Sequence, residues 1–246
     1  MLAYFVSDIH LRSMQEVNAR LFTRFLKSLS QKEGVTSLFL VGDIFDFWIS
    51  DHTYYIRKFE PIVREIERIA SEGIDVHYFE GNHDLYLHKY WMNRLGVKVY
   101  EDYHVFDLGD LRVRVEHGDL IDRSDKGYRF LRKLLRTNAM RFVAENVPEN
   151  IISKIGEQAS QASRLYTSTY KVKAPEQMLQ KIHHHAHEKV KETEFDILVT
   201  GHVHIKDDYE FLWHDKTVRS INLGSWLTEP CAFRITEKSQ EFIKIV

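Results

Sequence analysis

The sequence predicts an α/β fold, and three observations carry the prediction. Short apolar runs alternate with stretches of helical spacing. Each apolar run is followed by a cluster of Asp, Asn, His and Gly. After Gly96 strand-like patterns begin to follow one another without intervening helices.

Leu2 to Val6 is an apolar run free of turn residues and reads as a buried strand ending in Ser7-Asp8-Ile9-His10. Residues 16–31 place Val17, Leu21, Phe25, Leu26 and Leu29 at helical spacing. Leu38 to Val41 is a second strand, running into Gly42-Asp43. A helix is expected from about Tyr54 to Ser71, with Ile62, Ile66 and Ile69 on one face and Pro61 either interrupting it or marking its true start. Val76 to Phe79 is a third strand, ending in Gly81-Asn82-His83-Asp84. Ligands of open α/β sheets bind at such carboxyl ends. Residues 105–108 and 111–115 read as a hairpin around Gly109-Asp110, ending in Glu116-His117-Gly118-Asp119. Residues 120 to about 194 read as largely helical and unlike the rest. Phe195 to Thr200 returns as a strand into Gly201-His202-Val203-His204, and strands at 209–213, 218–223, 232–235 and 241–245 end the chain. With no internal repeat, linker or low-complexity segment, the expectation is one domain over 1–246 containing a helical insertion at 120–194.

The 246 residues, 43% apolar and 13% aromatic, suffice for a large core and exclude a disordered chain. A formal net charge of −2 gives no global attraction to nucleic acid, and no such partner is expected. Cys231 is the one cysteine, so no internal disulfide forms, which fits a cytoplasmic location. The opening MLAYFVSDIH lacks the basic region of a signal peptide, and no stretch approaches the ~20 apolar residues of a membrane span. Histidine is out of line, with 14 copies, many of them beside Asp, Asn or Gly.

Five strand ends carry Asp8 and His10, Asp43, Asn82, His117, and His202 and His204. Carboxylate, imidazole and amide donors without thiolate suit a hard or borderline divalent ion such as Mn²⁺, Fe²⁺ or Zn²⁺. On an extended backbone Asp8 and His10 point the same way, and so do His202 and His204. Two such pairs and a shared carboxylate are enough for two ions. A lone D-x-H or G-x-H is more often a turn or core histidine, but five ordered clusters, each after an apolar run, are not accounted for that way.

In this order, D-x-H (8–10), G-D (42–43), G-N-H-D (81–84), H-G-D (117–119) and G-H-x-H (201–204) resemble the calcineurin-like metallophosphoesterases over almost the whole chain. The resemblance implies a four-layer α/β/β/α sandwich with a dinuclear metal centre. It places Asp8, His10, Asp43 and His204 on one ion and Asp43, Asn82, His117 and His202 on the other. Asp43 bridges, having two carboxylate oxygens to share. Two ions roughly 3.5–4 Å apart clamp the attacking and leaving oxygens of an in-line displacement and lower the pKa of a bridging water. His83 then stands beside the ions, where an imidazole stabilises phosphoryl charge or protonates the leaving oxygen, with Asp84 holding its ring.

More narrowly, GDIFDFWISD (42–51), HGDLIDRSD (117–125) and INLGSWLTE (221–229) resemble the UDP-2,3-diacylglucosamine hydrolases of lipid A synthesis. That resemblance implies a Mn²⁺-dependent enzyme, peripheral on the cytoplasmic face of the inner membrane. Such enzymes release UMP and 2,3-diacylglucosamine 1-phosphate, and they carry a helical lid between H-G-D and G-H-x-H. Substrate contacts are expected from Asn82, His83 and Asp125, and phosphate contacts from Arg164, Lys171 and Lys173. Three departures stand out. His83 occupies the place of an Arg in the best-known members, G-H-V-H lacks their usual Thr, and Ile205-Lys206 replaces a common Arg-Pro. The metal ligands are untouched, so a second reading stays open: a phosphodiesterase or phosphatase acting on another nucleotide-linked or small substrate. A third, a non-enzymatic scaffold, is disfavoured by the complete ligand set.

In YRFLRKLLRTNAMRFV, Phe130, Leu131, Leu134 and Leu135 share one helical face and Arg129, Arg132, Lys133 and Arg136 the other. Such a helix either lies on an anionic membrane or covers a lipid, or it packs on the domain with its basic face in water. HHHAH (183–187) is expected to be an exposed helix face. Phe45, Phe47 and Trp48 are expected to wall the metal site, and Trp226 to be core.

Overall fold

The computed structural model describes residues 1–149, 151–152, 154 and 175–246. In the first sheet β1 (Leu2–Val6), β2 (Ser37–Leu40), β4 (Asp75–Phe79) and β6 (Lys98–Tyr100) run parallel, and β12 (Cys231–Thr236) and β13 (Gln240–Lys244) extend it antiparallel beside β1. Val6 lies opposite Leu40, and Leu40 opposite Tyr78. The three carboxyl ends are therefore level, and Asp8, Asp43 and Asn82 emerge along one edge. The second sheet takes β7 (His104–Leu108), β8 (Leu111–Val115), β9 (Ile197–Thr200), β10 (Lys206–Trp213) and β11 (Lys216–Leu223) in the order β10-β11-β9-β8-β7. Its β8 and β9 are parallel with Val115 opposite Val199, which brings His117 and His202 out together. A two-stranded ribbon, β3 (Trp48–Ile49) and β5 (Asp84–Leu85), joins the loops after β2 and β4.

The two-residue period of each strand decides the layers. Ala3, Phe5, Phe39, Val41 and Phe79 turn towards Val113, Val115, Ile197, Val199, Ile221 and Leu223 of the second sheet. Their neighbours Tyr4, Val6, Leu38, Leu40, Val76 and Tyr78 turn the other way, on to α1 (Val17–Leu29) and α3 (Glu60–Ser71). Cover on both faces is why β1 and β2 read as apolar runs, and why β4 does apart from His77. Beyond the second sheet, Ala186 and Val190 of α6 (Pro175–Glu192) pack on Leu198, Phe211 and Val218 and form the fourth layer.

Four expectations change. The helix expected over 54–71 is two, α2 (Thr53–Lys58) and α3, with Pro61 in the first turn of α3 where its missing N–H costs nothing. The helical stretch 120–194 divides: α6 is a layer of the sandwich, whereas α4 (Lys126–Leu135) and α5 (Asn138–Asn146) stand apart, burying only Ala144 between them. Phe45 and Trp48 do not wall the metal site. Both are fully buried, with Phe45 ring centroids 4.5 Å from Phe59 and 4.8 Å from Trp48, and Phe47 packs against the same core. In this loop the rings turn into the core while the Asp43 carboxylate faces the site.

The histidine run is the fourth change. His185 is buried and hydrogen-bonded to Glu116; His183 stacks on Tyr209 at 3.8 Å; His187 lies 4.0 Å from Phe211; His184 alone is exposed. The helix lies on a strand whose outward residues are aromatic, and each of the other three imidazoles packs there with its Nε2 on an acid or hydroxyl: Asp207, Glu116 and Tyr209. Trp226 is core as expected, 2% exposed, with its indole N–H donating to the Cys231 carbonyl at 2.8 Å.

Phe45→Ala should lower the unfolding free energy by about 3–5 kcal/mol with bound metal unchanged, as read by urea denaturation and metal analysis. An unchanged urea midpoint with lost turnover would return Phe45 to the wall of the site.

Candidate metal centre

Five of the seven expected ligands have left-handed backbones: Asp8 (φ 51°), His10 (52°), Asp43 (53°), His202 (65°) and His204 (61°). The extended backbone expected for the two D-x-H and H-x-H pairs is therefore not what aligns them. Each such residue costs on the order of 1–3 kcal/mol and persists only where its surroundings hold it. Here Asp8 and His10 donate their backbone N–H groups to Gly42 O and Asp43 O, both at 3.1 Å. The Asp8 carbonyl accepts from Trp226 N at 3.1 Å and from Ser225 Oγ at 3.0 Å. Cross-links between the strand ends fix the turns, and both members of each pair converge.

Asp8, His10 and His204 form one cluster. Asp8 Oδ1 lies 3.1 Å from His204 Nε2 and 3.8 Å from His10 Nε2, and the two ring nitrogens are 3.0 Å apart. Asp43, His117 and His202 form the second. His117 donates Nδ1–H to Val41 O at 2.9 Å, which turns its Nε2 towards Asn82 Oδ1 at 3.3 Å and Asp43 Oδ2 at 3.6 Å. Asp43 Oδ2 is also 3.8 Å from His10 Nε2. It lies between the clusters, in the bridging place. Its other oxygen, Oδ1, accepts from the backbone N–H groups of Asn82 (3.0 Å) and His83 (2.9 Å), so Oδ2 is the atom that would face both ions.

This donor set fits two divalent ions: lone pairs of nitrogen and oxygen converge at each cluster, and a cation is what satisfies them together. The protonation pattern agrees. Burial works against a charged His117, but Asp43, aided by Asp8 and Asp119, raises its pKa to about 10, so a proton takes the place of a cation. Burial, opposed by Asp43 and reinforced by His83 and His204, lowers His10 to about 3 and keeps it in the neutral form that ligates metal.

His83 is 8% exposed and donates Nδ1–H to the Asp46 carbonyl at 2.7 Å, its ring edge-on to His10. Asp84 does not hold that ring. Its carboxylate accepts from the backbone N–H groups of Asp43 (3.0 Å), Ile44 (2.9 Å) and Gly81 (2.8 Å) and from Tyr78 Oη (2.7 Å). Three amides aimed at one point outcompete a neighbouring imidazole, and Asp84 becomes the tie between the two ligand loops. Burial and the Asp43 charge raise its pKa to about 6. The motif glycines follow from the same crowding. A Cβ on Gly81 would meet Asp43 Oδ1 at 2.1 Å, and one on Gly201 would meet Asp8 Oδ2 at 2.4 Å.

Asp125 lies at the first turn of α4, where Oδ1 caps the helix by accepting from Tyr128 N at 2.8 Å. Arg164, Lys171 and Lys173 lie outside the described residues. Three residues near the centre were not foreseen. Asp46 has a carboxylate oxygen 3.8 Å from His10 Nδ1, and Asp119 accepts from Tyr128 Oη at 2.8 Å, with the Tyr128 ring 5.8 Å from His202. Asp46 and Asp119 stand inside GDIFD and HGD and could have been found there; nothing in the sequence marks Tyr128.

Asp84→Asn puts an NH₂ group among N–H donors. Metal retention should weaken about 10–100-fold, measured by dialysis against graded chelator. Wild-type retention with lost turnover would instead tie Asp84 to His83.

Residues 1–206 match the model of the calcineurin-like phosphoesterase family. The UDP-2,3-diacylglucosamine hydrolase of Photorhabdus laumondii is 27% identical over 99% of this chain and 98% of its own. That of Neisseria meningitidis serogroup B is 25% identical over 91% of this chain and 89% of its own. Among solved structures, an archaeal phosphodiesterase at 14% identity aligns over 100% of this chain and 99% of its own with a TM-score of 0.49. The family match takes in every residue of the two clusters, and the chain belongs to the calcineurin-like phosphoesterase family as a metal-dependent hydrolase.

Proposed function

We propose that the protein hydrolyses the pyrophosphate of UDP-2,3-diacylglucosamine to UMP and 2,3-diacylglucosamine 1-phosphate. The observation that carries this reading is an apolar helical surface beside the metal centre. The helix that places Tyr128 against His202 also exposes Phe130 (71%), Leu131 and Leu134, and α5 adds Phe142 (67%) and Val143. A cluster of this kind on a water-soluble surface marks a binding face, and two acyl chains are a ligand that needs one. A small phosphoester does not. The relatives named for this activity, aligned over most of both chains, support the same substrate.

Asp8, His10, Asp43 and His204 would hold one divalent ion and Asp43, Asn82, His117 and His202 the other, with Mn²⁺ preferred and Fe²⁺ or Zn²⁺ compatible. Bound there, the ions supply the charge that neutralises phosphoryl oxygens and acidifies the attacking water. The remaining work falls to the chain. Asn82 and His83 meet the phosphoryl group. With Nδ1–H held by the Asp46 carbonyl, His83 uses Nε2 to carry a proton, for the leaving oxygen or for the phosphoryl charge. Asp125 meets the substrate from α4, and Arg164, Lys171 and Lys173 are assigned to phosphate. Among the described residues no helix is long and apolar enough to cross a membrane. Exposed Phe130 and Phe142 beside exposed Arg129 and Lys133 suit a peripheral position on an anionic surface, the cytoplasmic face of the inner membrane. His83, in place of the Arg of the best-known diacylglucosamine hydrolases, favours one alternative, a smaller or differently linked phosphodiester.

Manganese-loaded protein should release UMP from UDP-2,3-diacylglucosamine and leave UDP-N-acetylglucosamine intact; cleavage of a generic aryl phosphodiester alone would sink the lipid substrate. His83→Ala should lower kcat about 10²–10⁴-fold with full metal content, and a loss of metal would make His83 a ligand.

A further inference from the structure

The helices α4 and α5 are fastened to the sandwich chiefly by charge. Arg132 donates Nε–H to Asp119 Oδ2 at 2.6 Å and Nη2–H to Asp102 Oδ1 at 2.8 Å. Arg136 donates Nη1–H to Glu80 Oε2 at 3.2 Å and lies 3.7 Å from Glu101 Oε2, while Arg141 pairs with Glu101 Oε1. Apolar anchoring comes from Ala144 and half-buried Leu135, which meet Leu85, Tyr86 and Ile49, and from Val147 at the end of α5, which packs against the main core. Two further ties reach backbone carbonyls, from Tyr86 Oη to Leu135 O and from His52 Nε2 to Ala144 O at 2.7 Å.

Two of these carboxylates belong to the metal-bearing loops. Asp119 comes two residues after His117, and Glu80 two residues before Asn82. Their side chains are only 8% and 1% exposed. A carboxylate so buried needs donors. Glu80 Oε1 has one from the chain, Leu87 N at 2.8 Å, and the hydrogen bond on Oε2 comes from Arg136. Asp119 Oδ2 takes both Tyr128 Oη and Arg132 Nε. The two lid arginines therefore complete the loops that carry His117 and Asn82, and the loops in turn fix the helices.

We propose that Arg132 and Arg136 are positioning residues. Paired with Asp119 and Glu80, they hold α4 and α5 in one register over the metal-bearing loops, and Arg132 acts through Asp119 to keep Tyr128 against His202. Arginine is required at Arg132 because its fork reaches two carboxylates on different loops, which a lysine ammonium does not do with the same geometry.

The test uses manganese-loaded, full-length protein. Arg132→Met/Arg136→Met keeps the aliphatic stems and removes the charge. Hydrogen exchange over 126–146 should quicken at least 10-fold, with β1, β2 and β9 at wild-type rates and manganese content unchanged. Arg132→Lys/Arg136→Lys should recover only part of the protection. Glu80→Gln/Arg136→Met removes an ion pair without orphaning a carboxylate, and should quicken the same segment while melting as wild type does. Unchanged exchange over 126–146 overturns the proposal, and so does faster exchange throughout the chain, which would make the arginines general stabilisers. A second readout rests on the proposed substrate: KM for the diacylated nucleotide should rise at least 10-fold, with kcat within threefold. A wild-type protein that does not turn over that substrate removes the proposed function and leaves the exchange result to decide the positioning role.

Discussion

Asp43 gives one carboxylate oxygen to the backbone and the other to the site, and the rest of the structure depends on that division. Oδ1 is fixed by two amides of the G-N-H-D loop, which leaves Oδ2 between His10 and His117. Asp8 divides in the same way: Oδ2 accepts from His202 N at 2.8 Å while Oδ1 faces His204. One carboxylate joins the loops after β2 and β4, and the other joins β1 of the first sheet to β9 of the second. These candidate ligands are also the cross-links that bring the two sheets' edges together. Glycines at 81 and 201 are needed because the carboxylates come closer to the backbone than any side chain permits.

Such an arrangement is under tension. Several ligands hold left-handed backbones, and two buried carboxylates lie among imidazoles that burial would otherwise keep neutral. Nearby charge resolves this by protonating His117, which a divalent cation would replace with a stronger and better centred charge. An ion bound by the folded state and not the unfolded one adds stability that grows with the logarithm of its concentration over its dissociation constant. The strain at Asp8 and His10 is held by backbone hydrogen bonds to Gly42 and Asp43, and that at Asp43 and His202 by N–H groups donated to the Asp84 and Asp8 carboxylates, so the geometry does not wait for the ion. That preorganisation is what lets ligand atoms on five separate loops act as one site.

The strand ends were legible because parallel strands covered on both faces must be uniformly apolar, and whatever follows them is exposed at one edge. Asp8, His10, Asp43, Asn82, His117, His202 and His204 could be picked out in order for that reason. Less was legible wherever two partners competed. Asp84 had an imidazole next to it in sequence and three amides near it in space, and only the fold decides between them. Phe45 and Trp48 follow a ligand by two and five residues, but residues that close in a loop can face opposite ways. His185 looked solvated because histidine is polar; Glu116, its partner, lies 69 residues away. Helical periodicity also gives the same signal for α6, a layer of the sandwich, and for α4, which is not. What a helix packs on is not written in its own spacing.

The setting of α4 follows from two demands that conflict in an ordinary amphipathic helix. Docking by its apolar face would bury Phe130 and Leu134 and leave only charge outside. Docking by its basic face alone would desolvate arginines with little apolar gain. The helix is instead turned on to the seam between its faces, so that Tyr128, Arg132, Leu135 and Arg136 point inward and Phe130, Leu131 and Leu134 outward. Desolvating Arg132 and Arg136 is offset because each donates to a buried carboxylate on a ligand-bearing loop, Asp119 and Glu80. An apolar surface beside the candidate metal centre is then kept exposed while the helices are held largely by charge. The acidic residues flanking His117 and Asn82 are what make that possible, so the same loops that carry the candidate metal ligands also determine where α4 sits.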